Sequence, residues 1–134
     1  MNAIYNPAEA VPAVGPYSQA VEVGPGARLL CISGQVGVDA TGRTGIGILE
    51  QAQMSWANIG RILRAAHMEP CDLVKVTIYY SQAVDMSPPM RAALGTIRER
   101  FLGSHRPASS AMFVHRLMKP EWLIEIEALA ARAM

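Results

Sequence analysis

The stretch Leu123-Ile124-Glu125-Ile126-Glu127-Ala128-Leu129-Ala130 alternates more sharply than any other in the chain. On an extended strand, residues two apart share a face. Ile124, Ile126, Ala128 and Ala130 therefore point one way. Glu125 and Glu127 point the other, with Leu123 and Leu129 at the ends of their row. One side of this strand belongs in a core, and the other meets water or another subunit.

Working outward, Leu73 to Tyr80 repeats the pattern. Val74, Val76, Ile78 and Tyr80 share one face, and Lys75 and Thr77 fall on the other. Ala108 to Leu117 reads as a further strand, and Arg28 to Ser33 as another that ends at Gly34. Tyr17 to Val23 is a weaker strand candidate, stopped by Gly24-Pro25-Gly26, and residues 6–16 read as an irregular arm. Two helices supply the cover. Ile48, Ala52, Trp56, Ile59, Leu63 and Ala66 recur at spacings of four and three, with Gln51, Ser55 and Asn58 off that stripe. Ser87 is a good N-cap ahead of Pro88, and Met90, Leu94, Ile97 and Phe101 form the second stripe before Gly103. Glycines 37, 42, 45 and 47 predict a flexible loop before the first helix. The predicted order is β-β-α-β-α-β-β, with a short extra strand near Ile4, so the fold class is α+β. Two helices cover one face of such a sheet. The other carries Lys75, Thr77, Glu125 and Glu127 beside Leu123 and Leu129, a mixture that suits an oligomer interface with polar pockets.

With 134 residues and no linker or repeat, residues 1–134 are expected to form one domain. Apolar residues make up 51% and charged ones 17%, which excludes disorder. The net charge of +1 shows none of the basic bias usual in a nucleic-acid binder. No signal peptide or membrane span is apparent, so a cytoplasmic location is expected. Cys31 sits in an apolar run and reads as a buried small hydrophobe; a Cys31–Cys71 bridge is left open. The scattered His67, His105 and His115 predict no metal site.

Glu125 and Glu127 emerge on one face. Most such glutamates are simply solvated, whereas one half-buried in a cleft can act as general acid or base. Gly15-Pro16-Tyr17-Ser18-Gln19 fixes a turn, with Tyr17 either a half-buried anchor or a pocket wall. Ser33-Gly34-Gln35 ends a strand where glycine permits close approach. Arg106 precedes Pro107-Ala108-Ser109-Ser110 and could bind a carboxylate through its planar fork or merely face solvent.

Taken in order and spacing, Gly15-Pro16-Tyr17-Ser18-Gln19-Ala20-Val21, Ser33-Gly34-Gln35, Val74-Lys75-Val76-Thr77, Pro107-Ala108 and Ile124 to Ala130 resemble the RidA (YjgF) family. The resemblance covers nearly the whole chain. It implies a chorismate-mutase-like fold and a homotrimer with clefts between subunits. It also implies hydrolysis of reactive enamines and imines to keto acids and ammonia, a reaction like that of a 2-iminobutanoate/2-iminopropanoate deaminase, which needs no cofactor. By the same resemblance Glu125 holds or activates the attacking water, Tyr17 lines the pocket as the second catalytic residue, and Ser33, Gly34, Ser109 and Ala111 are expected to bind the substrate. The chain departs from the family's active branch at Pro107-Ala108-Ser109-Ser110, where that branch has an arginine that clamps the substrate carboxylate. Ser109 is neutral and short and cannot make that bidentate pair. Ala111 stands where the family has a cysteine. The expected functions are therefore a RidA-like hydrolase, a non-catalytic binder of a small metabolite or partner, or an RNA-cleaving relative, the last opposed by the charge balance.

Overall fold

The computed structural model describes residues 2–134. Along the chain run β1 (Ala3–Tyr5), β2 (Ala20–Glu22), β3 (Arg28–Val36), α1 (Gly47–Ala65), a 3-10 turn at Pro70–Asp72, β4 (Leu73–Ser81), α2 (Pro88–Leu102), β5 (Ala108–Val114) and β6 (Ile124–Arg132). Four strands make one sheet in the order β3-β6-β4-β5. The last strand of the chain thus lies inside the sheet, antiparallel to both β3 and β4. β4 and β5 are parallel, joined through α2, since a parallel pair needs a long crossover.

The alternation that opened the sequence reading decides which side is covered. Ile124, Ile126 and Ala130 are almost wholly buried, as are Val76 and Ile78 of β4 and Ile59 and Leu63 of α1. Trp56 of α1 meets Phe101 of α2 with ring centroids 5.0 Å apart, which locks the two helices together. Ser87 caps α2, its hydroxyl accepting from the Met90 amide at 3.3 Å. Both helices pack on the one apolar face, as the pattern requires. Among the described residues, no helix is long and apolar enough to cross a membrane.

Four expectations need correction. First, the predicted strand at Tyr17–Val23 shrinks to Ala20–Glu22 and pairs with β1 in a separate two-stranded ribbon, outside the main sheet. The arm before it is tied elsewhere: the Ser18 amide donates to the Pro107 carbonyl at 3.2 Å and its hydroxyl to that of Arg106. Second, Cys31 faces the uncovered side and is exposed, because the strand turns Leu30 and Ile32 inward; Cys31 and Cys71 are both free thiols. Third, the glycine-rich loop packs tightly on α1. A Cβ on Gly37 would lie 2.4 Å from that of Gln51, so only glycine fits this approach. Fourth, Gln51 and Ser55, off the apolar stripe, are both buried. The Gln51 amide nitrogen donates to the carbonyls of Gly45 (3.1 Å) and Glu121 (2.9 Å), and its oxygen accepts from the Leu123 amide (2.8 Å). Most buried polar groups are bonded in this way; the buried Ser55 hydroxyl, by contrast, has no partner among the described residues.

Candidate functional site

Glu125 stands on β6 with Tyr79 of β4 on one side and Val36 of β3 on the other. Its neighbour β3 is irregular here. Ile32 opposes Ala128 and Gln35 opposes Ile126, so β3 spends one residue more than β6 over the interval. That is a β-bulge, a device that re-aims nearby side chains, and it consists of Ser33 and Gly34. A Cβ on Gly34 would lie 2.6 Å from the Glu125 carboxyl carbon. The missing side chain is the seat on which the carboxylate rests. A Gly34→Ala chain is therefore expected to fold at a cost of about 1–3 kcal/mol, with the Glu125 carboxylate pushed off the bulge. A crystal structure of the variant checks this, and an unmoved carboxylate would contradict it.

Glu125 and Glu127 share the face but not the environment. The Tyr79 hydroxyl donates to Glu127, and that bond raises the tyrosine's pKa, with lesser help from burial. Glu125 is half-buried and, among the described residues, neither accepts a side-chain or loop hydrogen bond nor pairs with a cation. Its carboxylate is free to hold a ligand or a water. Beside the pair lies a shallow hollow of about 360 Å³ bordered by Cys31, Ser33, Lys75, Thr77 and Glu127.

A second and larger hollow, of about 820 Å³, opens on the other side of the sheet. Gly15, Pro16 and Tyr17 form one wall, Ser109 and Ala111 of β5 a second, and α2 a third. The Tyr17 ring is half-buried, and its hydroxyl accepts from the Val14 amide at 3.4 Å. The sides follow from the strand register. Ser109 and Ala111 sit opposite Val76 and Ile78, which face the helices. Ser110 sits opposite Thr77, and its hydroxyl accepts from Lys75 at 2.9 Å on the uncovered side. The structure thus gathers Ser33, Gly34 and Glu125 in one place and Tyr17, Ser109 and Ala111 in another. Within one chain these two groups occupy opposite faces of the sheet.

Arg106 does not enter the larger cleft. Its guanidinium donates to the carbonyls of Gly103 (2.9 Å) and His105 (3.1 Å) and lies 3.6 Å from Glu99. His105 Nε2 is held 2.7 Å from the Leu73 carbonyl, and His115 Nδ1 lies 3.2 Å from Gln82. Among the described residues no cluster of metal-ligating side chains occurs. Sequence reasoning missed two residues near the sites. Tyr79 lies two positions after Thr77 and so continues its row. Arg98 lies four after Leu94, on the flank of the α2 stripe, and lines the larger cleft.

Comparison with known proteins covers nearly the whole chain. A family model described as endoribonuclease L-PSP matches residues 7–132. A goat (Capra hircus) protein, 2-iminobutanoate/2-iminopropanoate deaminase, is 36% identical over 131 residues, which span 96% of this chain and 89% of that one. The conserved Rid family protein YyfB of Yersinia pestis has 35% identity, 98% coverage of both chains and a TM-score of 0.83. The YjgF gene product of E. coli has 34% identity, covering 90% of this chain and 91% of its own, with a TM-score of 0.67. The match runs through the Tyr17 loop, the Ser33-Gly34 bulge, β5 and β6 alike, and the chain belongs to the endoribonuclease L-PSP family, the RidA/YjgF/RutC proteins.

Proposed function

We propose that this chain hydrolyses an enamine or imine of a small metabolite, with the whole of residues 1–134 acting as one RidA-like unit. The observation that carries the reading is the Glu125 carboxylate, seated over the bulge and left without a partner. The deaminase named among its relatives supports the reaction class. An imine carbon is electrophilic, and water is a poor nucleophile until a base takes its proton. Glu125 accepts that proton as the water oxygen bonds to carbon, then returns it to the nitrogen. The proton of the new hydroxyl then passes to the amine, by way of the same carboxylate, as the carbon–nitrogen bond breaks, and a carbonyl compound and ammonia leave. An enamine first gains a proton at carbon and loses one from nitrogen to reach the same imine. No step calls for redox chemistry.

The separation of the two groups bears on assembly. Tyr17 and Ser109 lie on one face and Glu125 on the other, so a site using all of them needs a second copy. A contact between two different surfaces is heterologous, and repeated through a rotation that closes it makes a ring. This favours the homotrimer with clefts between subunits, in which Glu125 of one copy completes the Tyr17 cleft of the next. The uncovered face carries Leu29, 60% exposed, and Met112, 41% exposed, beside its charges, as an interface would.

The test uses imines generated freshly in solution and follows ammonia release and imine loss with and without the purified protein, whose mass is measured in the same buffer. Faster decay of at least one imine by a trimer is the expected result. A trimer that leaves the whole panel unchanged sinks the hydrolase. In that case the neutral Ser109, where the family's active branch has an arginine, favours a module that binds a metabolite without converting it.

A further inference from the structure

Arg98 and Arg106 are the arginines of this chain that are not exposed. Arg106 is spent on two carbonyls and Glu99. Among the described residues, Arg98 has no carboxylate within ion-pair distance, and its guanidinium donates no hydrogen bond. A half-buried cation without a partner is costly, and the cost falls when an anion arrives. Burial is the main influence on its guanidinium, lowering its pKa; the group still stays charged at neutral pH. Its neighbour Tyr80 offers no compensating charge, since burial raises the pKa of that hydroxyl.

Arg98 also faces the right place. It lines the 820 Å³ cleft together with Tyr17 and Ser109. The other cation there, Arg91, is exposed, and the cleft's acid, Glu99, pairs with Arg106. The remaining wall is largely apolar, with Trp56, Ile78, Tyr80, Leu94 and Phe113. A cleft of this size falls within the roughly 300–1,000 Å³ range that holds drug-sized ligands, far more than a three- or four-carbon acid fills. We infer that Arg98 is the anion-binding group of this cleft, and that its ligand is a carboxylate with a bulky apolar body. The positive charge that Ser109 does not supply from β5 is supplied from α2, across the same hollow. The inference rests on the proposed ligand site but does not require that the ligand be hydrolysed.

The experiment separates the two. Phenylpyruvate, 2-oxobutanoate and methyl phenylpyruvate stand in for the acid, its small analogue and its neutral ester, and their binding to the oligomer is measured calorimetrically. Wild type is expected to hold phenylpyruvate about tenfold or more tighter than the ester, as a fork on a carboxylate predicts, and tighter than 2-oxobutanoate. Arg98→Met is expected to lose that preference for the acid and keep the ester's affinity. Arg98→Lys, a point charge without the fork, is expected to recover part of it. Equal binding of phenylpyruvate to wild type and Arg98→Met, or no preference for acid over ester in wild type, overturns the inference. Arg98-dependent binding in a protein that leaves imines untouched would remove the hydrolase reading and leave this one standing.

Discussion

Gln51→Leu is expected to lower the free energy of unfolding by about 3–5 kcal/mol, although it replaces a polar residue with an apolar one of similar size. The reason is what the amide holds. Its three bonds reach Gly45, Glu121 and the Leu123 amide, which otherwise belong to two separate segments. With leucine the buried Gly45 carbonyl loses its partner, as do the Glu121 carbonyl and the Leu123 amide at half-buried bonds, and a stranded buried group costs about 1–3 kcal/mol. Burial of the new methyl groups offsets part of this, roughly 0.8 kcal/mol for each CH₂. Against a typical total stability of about 5–15 kcal/mol the loss is large. Thermal and urea unfolding of the two proteins measure it. A change under about 1 kcal/mol would mean that the three groups find other partners, so that the amide is not what joins them. Gln51→Glu discriminates further, since a carboxylate still accepts from Leu123 but has nothing to donate to either carbonyl.

That glutamine marks the limit of what the sequence discloses. The α1 stripe of Ile48, Ala52, Trp56, Ile59 and Leu63 is legible because apolar residues at helical spacing have one physical reading, and all five are buried. Gln51 sits three after Ile48, on the edge of the same stripe, and its polarity points to solvent. Only the loop and the β6 approach, folded over it, reverse that reading. The β6 face was legible for the same reason as the stripe, through a period of two sustained over the whole strand. Cys31 was not: in the run Leu29-Leu30-Cys31-Ile32 every residue is apolar, and such a run carries no phase to say which members turn inward. The Ser33-Gly34 pair announced a close approach, and the approaching group is the Glu125 side chain from the next strand. The opposition of Tyr17 and Ser109 to Glu125 depends on the register of β5 against β4. Register between strands whose paired residues lie 33 apart in sequence is set by packing, and one-residue slips reverse the face.

Glu125→Gln is expected to lower the rate of imine hydrolysis by about 10²–10³-fold, the range over which a single general acid–base group contributes. Glutamine keeps the shape of the side chain and its ability to orient a water. It cannot take the water's proton, and that transfer is the step assigned to this position. Glu127→Gln is the informative partner, for it makes the same chemical change one strand repeat away. Glu127 already accepts from the Tyr79 hydroxyl, a bond an amide oxygen can also accept, so the rate is expected to fall by less than about threefold. Initial rates of imine loss on folded oligomers of both variants provide the comparison. Equal losses would mean that the face matters only through its total charge. A Glu125→Gln enzyme with more than about a tenth of the wild-type rate would remove proton transfer from this residue. Glu125→Asp sharpens the geometry: it keeps the carboxylate but draws it back toward β6, away from the water. If the bulge at Gly34 exists to aim the group, aspartate should resemble glutamine more than glutamate, because a misplacement of about 1 Å can cost about 10²-fold. A fully active aspartate would show that the site needs a carboxylate on this strand but not the seat the bulge provides.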